Sequence, residues 1–313
     1  MKAGTKRVLI TGSNGLLGQK VVEILSRSNN YNLLLTSRQE HSVFQDELLT
    51  YRRLDASDRP EVRKVLDEFE PEVIINTAAM TNVDQCETDR EAAWRANVVS
   101  VENLVNSAKL VGSHLIHIST DYVFDGQNGP YIELDRPNPV SYYGRTKLAS
   151  ENIIRTSGIP STIIRTMILY GSGYNVKVNF ALWVLKNLID GKPIRVVDDQ
   201  IGNPTLADDL AFAIIKVMEL ERSGLYHISG SDLVSRYDFA LTLAEVFEFN
   251  KKLITPVKSS ALKQAATRPM KSGFITLKAQ TDLDVKMSGM RHGLTVVKNE
   301  LAAHAAESTS GSK

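Results

Sequence analysis

The stretch Gly12-Ser13-Asn14-Gly15-Leu16-Leu17-Gly18 carries a glycine at every third position between a strand-like run, Arg7 to Thr11, and an apolar helical pattern continuing through Val21 to Leu25. A chain turns that tightly from strand into helix only where no Cβ obstructs it, and the turn leaves backbone amides at the positive end of a helix. Such a junction suits the close approach of a pyrophosphate. It predicts an α/β fold that binds a dinucleotide at its first crossover, with Gly12, Asn14, Gly15, Leu16, Leu17 and Gly18 as cofactor-binding positions. Strand and helix patterns keep alternating to about Arg165, as in a right-handed doubly wound parallel sheet.

Length and charge narrow the partners. At 313 residues the chain can bury one large domain or two lobes. Its 37 Lys and Arg nearly balance 36 Asp and Glu, and no basic block of five or more residues occurs. Nucleic acid is therefore not an expected partner. No apolar run has the length of a bilayer span, and Met1 to Arg7 leads into a strand rather than a signal-peptide core. A soluble, cytoplasmic protein with no membrane partner is expected. The single cysteine, Cys86, has no second thiol for a disulfide or zinc site. Six scattered histidines, His114 and His117 among them, read as structural, and no metal site is expected.

The strand pattern Asn32 to Thr36 ends in Ser37-Arg38. NAD-preferring sites often place an acidic residue here for the ribose hydroxyl. This chain offers a guanidinium that can pair with a 2′-phosphate and a hydroxyl beside it, so NADPH is the expected reductant and NADH the alternative. Asp55 and Ala56 suit the adenine edge. Ala78 and Ala79, beyond the buried run Val73 to Ile75, supply small side chains where a strand end passes a cofactor.

Tyr143 and Lys147 lie four residues apart in Ser141-Tyr142-Tyr143-Gly144-Arg145-Thr146-Lys147, a spacing that puts both on one helix face. A phenol titrates at about 10, and a nearby ammonium would draw it toward working pH. Thr120 follows the strand pattern His114 to Ser119 and precedes Tyr143 by 23 positions. Open parallel sheets gather ligands at such strand ends. A hydroxyl to orient a carbonyl, a proton donor and an ammonium are together the parts that hydride chemistry requires.

The glycine spacing resembles that of short-chain dehydrogenases/reductases rather than G-x-G-x-x-G. With Ser119-Thr120-Asp121-Tyr122-Val123-Phe124-Asp125-Gly126, Tyr143-Gly144-Arg145-Thr146-Lys147-Leu148-Ala149 and Val197-Asp198-Asp199-Gln200-Ile201-Gly202-Asn203-Pro204-Thr205, the chain from about Arg7 to about Leu301 resembles the dTDP-4-dehydrorhamnose reductase family. The resemblance implies a Rossmann-like sheet with a smaller C-terminal substrate-binding lobe. It implies hydride delivery to the C4 ketone of dTDP-6-deoxy-L-lyxo-4-hexulose, giving dTDP-L-rhamnose. Tyr143 would protonate the alkoxide, Thr120 would hydrogen-bond the carbonyl oxygen, and Lys147 would lower the tyrosine pKa and hold nicotinamide ribose hydroxyls. Thr81, Val83, Asp121 and Asn203 would border the sugar nucleotide, Asn97 would support the cofactor side, and Arg268 would take the substrate pyrophosphate.

The expected division is 1–165, with 206–230 returning to it, as the NAD(P)-binding domain; 166–205 and 231–304 as the substrate lobe; and 305–313 as a flexible tail. A homodimer is compatible with this reading. One departure stands out: where many rhamnose-forming members carry a serine-tryptophan pair, this chain reads Thr166-Met167, and Trp183 is the candidate replacement. Three readings follow: the nucleotide-sugar ketoreductase, a nucleotide-sugar epimerase or reductase of another keto sugar, and a non-catalytic NADP-binding subunit resembling the regulatory subunit of methionine adenosyltransferase.

Overall fold

The computed structural model describes residues 5–46 and 48–310. Along the chain run β1 (Lys6–Thr11), α1 (Leu16–Leu25), β2 (Tyr31–Ser37), β3 (Thr50–Arg53), α2 (Arg59–Phe69), β4 (Val73–Asn76), α3 (Val83–Thr88) and α4 (Arg90–Trp94). A π-helical turn over Arg95–Val99 leads into α5 (Ser100–Val111), then β5 (His114–Thr120), α6 (Tyr142–Ser157) and β6 (Ser161–Thr166). The remainder comprises β7 (Leu169–Tyr170), α7 (Phe180–Ile189), β8 (Ile194–Val197), β9 (Ile201–Gly202), β10 (Thr205–Leu206), α8 (Ala207–Glu219), β11 (Gly224–His227), β12 (Val234–Ser235), α9 (Arg236–Val246), β13 (Ile254–Val257), α10 (Leu277–Leu283) and α11 (Met290–Ser310).

Seven strands form one parallel sheet in the order β11-β6-β5-β4-β1-β2-β3. Helices cover both faces, which is why the strands read as unbroken apolar runs rather than alternating ones. On one face Val8 and Ile10 pack with Val21 and Val22 of α1 and Leu210 and Ile214 of α8. On the other, Leu9 and Ile74 pack with Leu66 of α2, Leu104 of α5 and Ile154 of α6. The sheet order reverses between β1 and β4, so the cleft opens above the carboxyl ends of β1, β4 and β5.

The expected return to this sheet is present: α8 packs on α1, and β11 pairs with β6. The second lobe has its own core, built from Val184 and Leu188 of α7, Phe239 and Leu243 of α9, and Leu294 and Val297 of α11. Two details differ from the sequence reading. Ala279 and Leu283 of α10, with Val285 and Met287, join the sheet core beside Tyr226 and Ile228, so this part of 231–304 packs with the nucleotide lobe. Helix α11 also continues to Ser310, through most of the segment expected to be a tail, while residues 311–313 lie outside the described residues. Among the described residues no helix is long and apolar enough to cross a membrane.

Candidate active site

Tyr143 is fixed by the start of α6. Ser141 is the N-cap, its Oγ accepting from Gly144 N at 3.2 Å, and Tyr142 N donates to Glu87 Oε2 of α3 at 2.9 Å. These two bonds satisfy orphan amides of the first turn and turn the buried Tyr143 ring toward Tyr122, edge-on at 5.5 Å. Cys86 is fully buried in the same cluster, where desolvation pushes its thiol up to about 11. Thr120, the last residue of β5, places its hydroxyl against the Tyr143 phenol. That hydroxyl accepts from Tyr122 N at 3.2 Å and donates to Asp121 Oδ1 at 3.1 Å. Burial raises the Asp121 carboxyl to about 6, although Ser272 Oγ donates to it at 2.5 Å.

The expected electrostatic pairing of Tyr143 with Lys147 is not what this arrangement produces. Burial, reinforced by Asp121, holds the phenol above its ordinary value, and only the Thr120 hydroxyl opposes this. The Lys147 ammonium is directed into the sheet, donating to Ile118 O at 2.8 Å and lying 3.0 Å from His117 Nε2. Desolvation lowers Lys147 to about 8 against the opposing pull of Glu151. His117, expected to be structural, is thus a buried neighbour of Lys147; its signal was its place three residues before Thr120 on the same strand.

At the nucleotide end the glycines divide by role. Gly12 has φ +73°, and a Cβ on it would stand 2.8 Å from Ala78 N, while one on Gly18 would stand 2.4 Å from Gly12 O. Gly12 is required by the loop's close approach to the Thr77-Ala78 backbone, and Gly18 by its approach to the Gly12-Ser13 backbone. A Cβ on Gly15 would meet only Gly12 O, at 3.2 Å, so its other side is open. Gly15 caps α1 without a side-chain bond and with no acidic residue in the first turn, and the amides of Leu16 and Leu17 have no acceptor among the described residues. The Leu17 side chain lies in the core, leaving only its backbone for a ligand. Asn14 ties down the following loop, donating to Gln39 Oε1 at 2.5 Å and His41 O at 2.8 Å.

Arg38 is exposed, makes no hydrogen bond or ion pair through its guanidinium among the described residues, and helps hold Asp55 below its usual value. The Asp55 carboxylate also accepts from Ser57 N and Oγ, beside the buried Ala56. Ser37 Oγ lies 2.8 Å from Tyr51 Oη. Asn97 sits in the π-helical turn, accepting from Met80 N at 2.8 Å and donating to Met80 O and Thr146 Oγ1, each at 3.1 Å. Both of its amide N–H groups and one lone pair of its oxygen are engaged in tying the Met80 backbone to α6. Thr166 Oγ1, paired in register with Thr120 at the end of β6, is buried without a partner. An open Gly15, unclaimed first-turn amides, a free Arg38 and an orphaned hydroxyl at the strand ends together fit a phosphorylated dinucleotide.

The substrate side holds the main surprise. Arg268 does not stand free: it grips Asp84 with NH1–Oδ1 2.9 Å and NH2–Oδ2 2.7 Å and also donates to Ala266 O. Arg236, which the sequence reading missed, makes no side-chain hydrogen bond or ion pair among the described residues. Its guanidinium lies 4.9 Å over the Phe180 ring and close enough to Tyr122, Asp121 and Arg268 to interact with their charges. Its sequence signal was the Ser235-x-x-Asp238 capping box, which fixes Arg236 as the first residue of α9. Val83 packs in the Tyr143 cluster, and Thr81 is exposed just before α3. The carboxamide oxygen of Asn203 accepts from Phe274 N at 2.9 Å, so this buried residue supports the loop beneath the site. Trp183 leans on Phe180 at 6.0 Å, one ring removed from Arg236. Among the described residues no group of three or more His, Cys, Asp or Glu side chains could hold a metal ion.

With this geometry in hand, comparisons with known proteins can be read. The family model described as RmlD substrate binding domain matches residues 6–303. A dTDP-4-dehydrorhamnose reductase of Aggregatibacter actinomycetemcomitans is 32% identical over 304 residues, covering 93% of this chain and 98% of the relative. The crystal structure of a dTDP-4-dehydrorhamnose reductase from Bacillus anthracis in complex with NADP superposes with a TM-score of 0.85 at 31% identity, covering 95% of this chain and 99% of that one. The methionine adenosyltransferase 2 subunit beta of Mus musculus is 30% identical over 284 residues, 88% of this chain and 82% of the relative.

Proposed function

Because the chain belongs to the RmlD substrate binding domain family, we propose that it is an NADPH-dependent nucleotide-sugar 4-ketoreductase that converts dTDP-6-deoxy-L-lyxo-4-hexulose to dTDP-L-rhamnose. The observation that carries this reading is the Thr120 hydroxyl set against the Tyr143 phenol at the sheet's carboxyl edge, with Lys147 one helical turn on and the unpaired cation of Arg236 nearby. The dinucleotide, when bound, supplies a hydride to the carbonyl carbon. Gly15 and the first amides of α1 would hold its pyrophosphate, and Arg38 with Ser37 its 2′-phosphate.

The chain's own residues do the rest. A phenol held protonated by burial is in the correct state to give its proton to the oxygen on which charge develops, and Thr120 is placed to hydrogen-bond that same oxygen. Its one proton serves Asp121 in the free protein, so it must swing on binding. Lys147, lowered toward neutrality, can return a proton to the site after Tyr143 has given up its own. Arg236 and Arg268 would flank the substrate diphosphate, Arg236 contributing the uncommitted charge.

The test follows NADPH oxidation by the purified protein with dTDP-6-deoxy-L-lyxo-4-hexulose, for wild type and Tyr143→Phe, each repeated with NADH. Loss of the proton donor should lower turnover by about 10²-fold or more, and Arg38 should make NADPH the better substrate. A folded, NADPH-binding wild type without turnover refutes the reading. Tightly retained NAD after purification would favour an epimerase. The 30% identity to the methionine adenosyltransferase subunit supports a second reading, an NADP-binding regulatory subunit, which copurification of a synthetase without ketone reduction would favour.

A further inference from the structure

Behind the catalytic lysine a row of polar side chains crosses the middle of the sheet. Thr11, Asn76 and His117 are register partners on β1, β4 and β5, and Lys147 and Ser150 of α6 close the row from above. All five are buried, with relative exposures of 2, 1, 0, 1 and 0%. Groups so placed must satisfy one another, which makes the direction of each hydrogen bond a deduction rather than a choice.

The deduction starts at Ala78. A backbone N–H can only donate, and Ala78 N lies 3.2 Å from one terminal atom of the Asn76 amide, so that atom is Oδ1. Thr11 Oγ1 donates to the same oxygen at 2.7 Å. The Asn76 nitrogen therefore faces His117 Nδ1, at 3.0 Å, and an amide nitrogen also only donates. His117 Nδ1 must then be the unprotonated acceptor. The doubly protonated ring is excluded, in keeping with the depression of His117 well below its usual value by burial and by Lys147. A neutral ring with a bare Nδ1 carries its proton on Nε2. That N–H is directed at Lys147 Nζ, 3.0 Å away, and at Ser150 Oγ, 3.3 Å away. Ser150 uses its own proton on Lys147 O at 2.7 Å, which leaves its oxygen free to accept.

We propose that His117, locked as the Nε2–H tautomer by the Ala78–Asn76 bond, is a positioning residue that presents a donor to Lys147 and so makes the lysine a titrating acid instead of a permanent cation. The consequence for catalysis rests on the ketoreductase reading above. An N–H dipole opposing an ammonium disfavours its charge, whereas the neutral amine accepts the Nε2–H bond and is stabilised by it. The other titratable groups facing Lys147 are Tyr143 one turn before it and Glu151 one turn after it. Glu151 is held by Arg165 at 2.7 Å and Ser119 at 2.5 Å, so its pull on the ammonium is shared. Once Tyr143 has protonated the product oxygen and become a phenolate, Lys147 can give up a proton to restore the Tyr143 phenol, and His117 Nε2–H then bonds the neutral amine that remains.

The Nδ1 and Nε2 resonances of His117 in the folded, ligand-free protein report the tautomer by nitrogen NMR with labelled histidine. Labelled lysine reports the Lys147 titration. The expected wild-type result is a bare Nδ1, a protonated Nε2 and a lysine titrating well below its free value. Asn76→Asp reverses the polarity: its carboxylate accepts from Nδ1–H, turns the bare Nε2 toward the ammonium, and should raise the Lys147 titration by about one pH unit or more, tenfold in proton affinity. The alkaline limb of kcat should rise with it, because a lysine that must deliver a proton fails above its pKa. A protonated Nδ1 in the wild type, a lysine titration unmoved by Asn76→Asp, or a moved titration with an unmoved alkaline limb each overturns the proposal. Absence of turnover with the keto sugar, while both NMR results hold, refutes the function reading and leaves the tautomer assignment standing.

Discussion

Replacing Gly144 with alanine pits helix propensity against packing. Gly144 lies in the first turn of α6, beside Tyr143, and alanine favours a helix interior over glycine by about 1 kcal/mol. Propensity alone thus predicts a more stable protein. A Cβ at this position, however, would stand 2.1 Å from Tyr122 O and 3.0 Å from both Tyr122 C and Pro139 Cβ. Relief to 3.0 Å from the carbonyl oxygen requires a displacement of 0.9 Å, and the obstacle is backbone, not the end of a flexible side chain. Overpacking of this kind costs about 1–3 kcal/mol, so it offsets the propensity gain and leaves a net loss of up to about 2 kcal/mol. The larger effect is on chemistry. The shift falls between Tyr122 and Tyr143, whose rings meet at 5.5 Å, and a misplacement of about 1 Å at a reacting group costs on the order of 10²-fold in rate. Urea denaturation and steady-state kinetics of Gly144→Ala should show a lower midpoint, kcat down about a hundredfold and KM for the nucleotide sugar nearly unchanged. A variant at least as stable as wild type, with kcat within about twofold, would refute the packing argument.

Three further outcomes follow from the same structure. Glu151→Gln leaves Arg165 buried without its carboxylate, so unfolding should be easier by about 3–5 kcal/mol in urea, and the double variant Glu151→Gln/Arg165→Met should recover much of that loss; an unaltered single variant contradicts the pairing. Arg236→Met keeps apolar contact with Phe180 but removes the uncommitted cation; loss of a charge-assisted bond of about 1.5–3 kcal/mol should raise KM for the nucleotide sugar about 10- to 100-fold with kcat little changed, and an unchanged KM rejects the anion-site assignment. Burial lowers Lys147 to about 8 in the folded protein against an ordinary lysine value of about 10.4, so the unfolded chain binds the extra proton between those values. Its burial penalty is present in full below about pH 8 and relieved as pH rises to about 10.4. The stability difference between wild type and Lys147→Met should therefore shift in favour of wild type by about 3 kcal/mol across that window, and a flat difference would contradict the lowered pKa.

Much of the sheet was legible because its strands are buried on both faces and its crossovers are short: the edges of β1, β2, β4 and β5 fell within one residue of expectation. Tyr143 and Lys147 were legible as a pair for a different reason, since they are neighbours on one helix and need no tertiary contact to share a face. Side-chain direction was not. Nothing local reveals that Lys147 turns inward to Ile118 O, that Arg268 is already claimed by Asp84, or that Asn97 is tied to the Met80 backbone. Arg268 and Asp84 are 184 positions apart, and Asn97 and Thr146 are 49 apart. The glycine loop lies between β1 and α1, but its glycines divide in a way that spacing does not show: Gly12 answers to the Thr77-Ala78 backbone and Gly18 to the Gly12-Ser13 backbone, while Gly15 has space beside it.

The row from Thr11 to Lys147 lies beyond sequence reasoning for the same cause, and its polarity tells why it belongs to the site. An apolar row could hold β1, β4 and β5 together equally well, since replacing buried polar groups by well-packed apolar ones is often neutral or stabilising. What an apolar row could not have is direction. The Ala78 amide, which no side-chain rotation can reverse, fixes Asn76, and Asn76 in turn fixes the direction of its bonds with Thr11 and His117. The series ends on the one buried ammonium that shares a helix face with Tyr143. A single-atom exchange at Asn76, nitrogen for oxygen, should therefore be felt at Lys147 two strands and a helix away while the contacts of the core stay as they are. That separation of polarity from packing is what a merely structural row would fail to show.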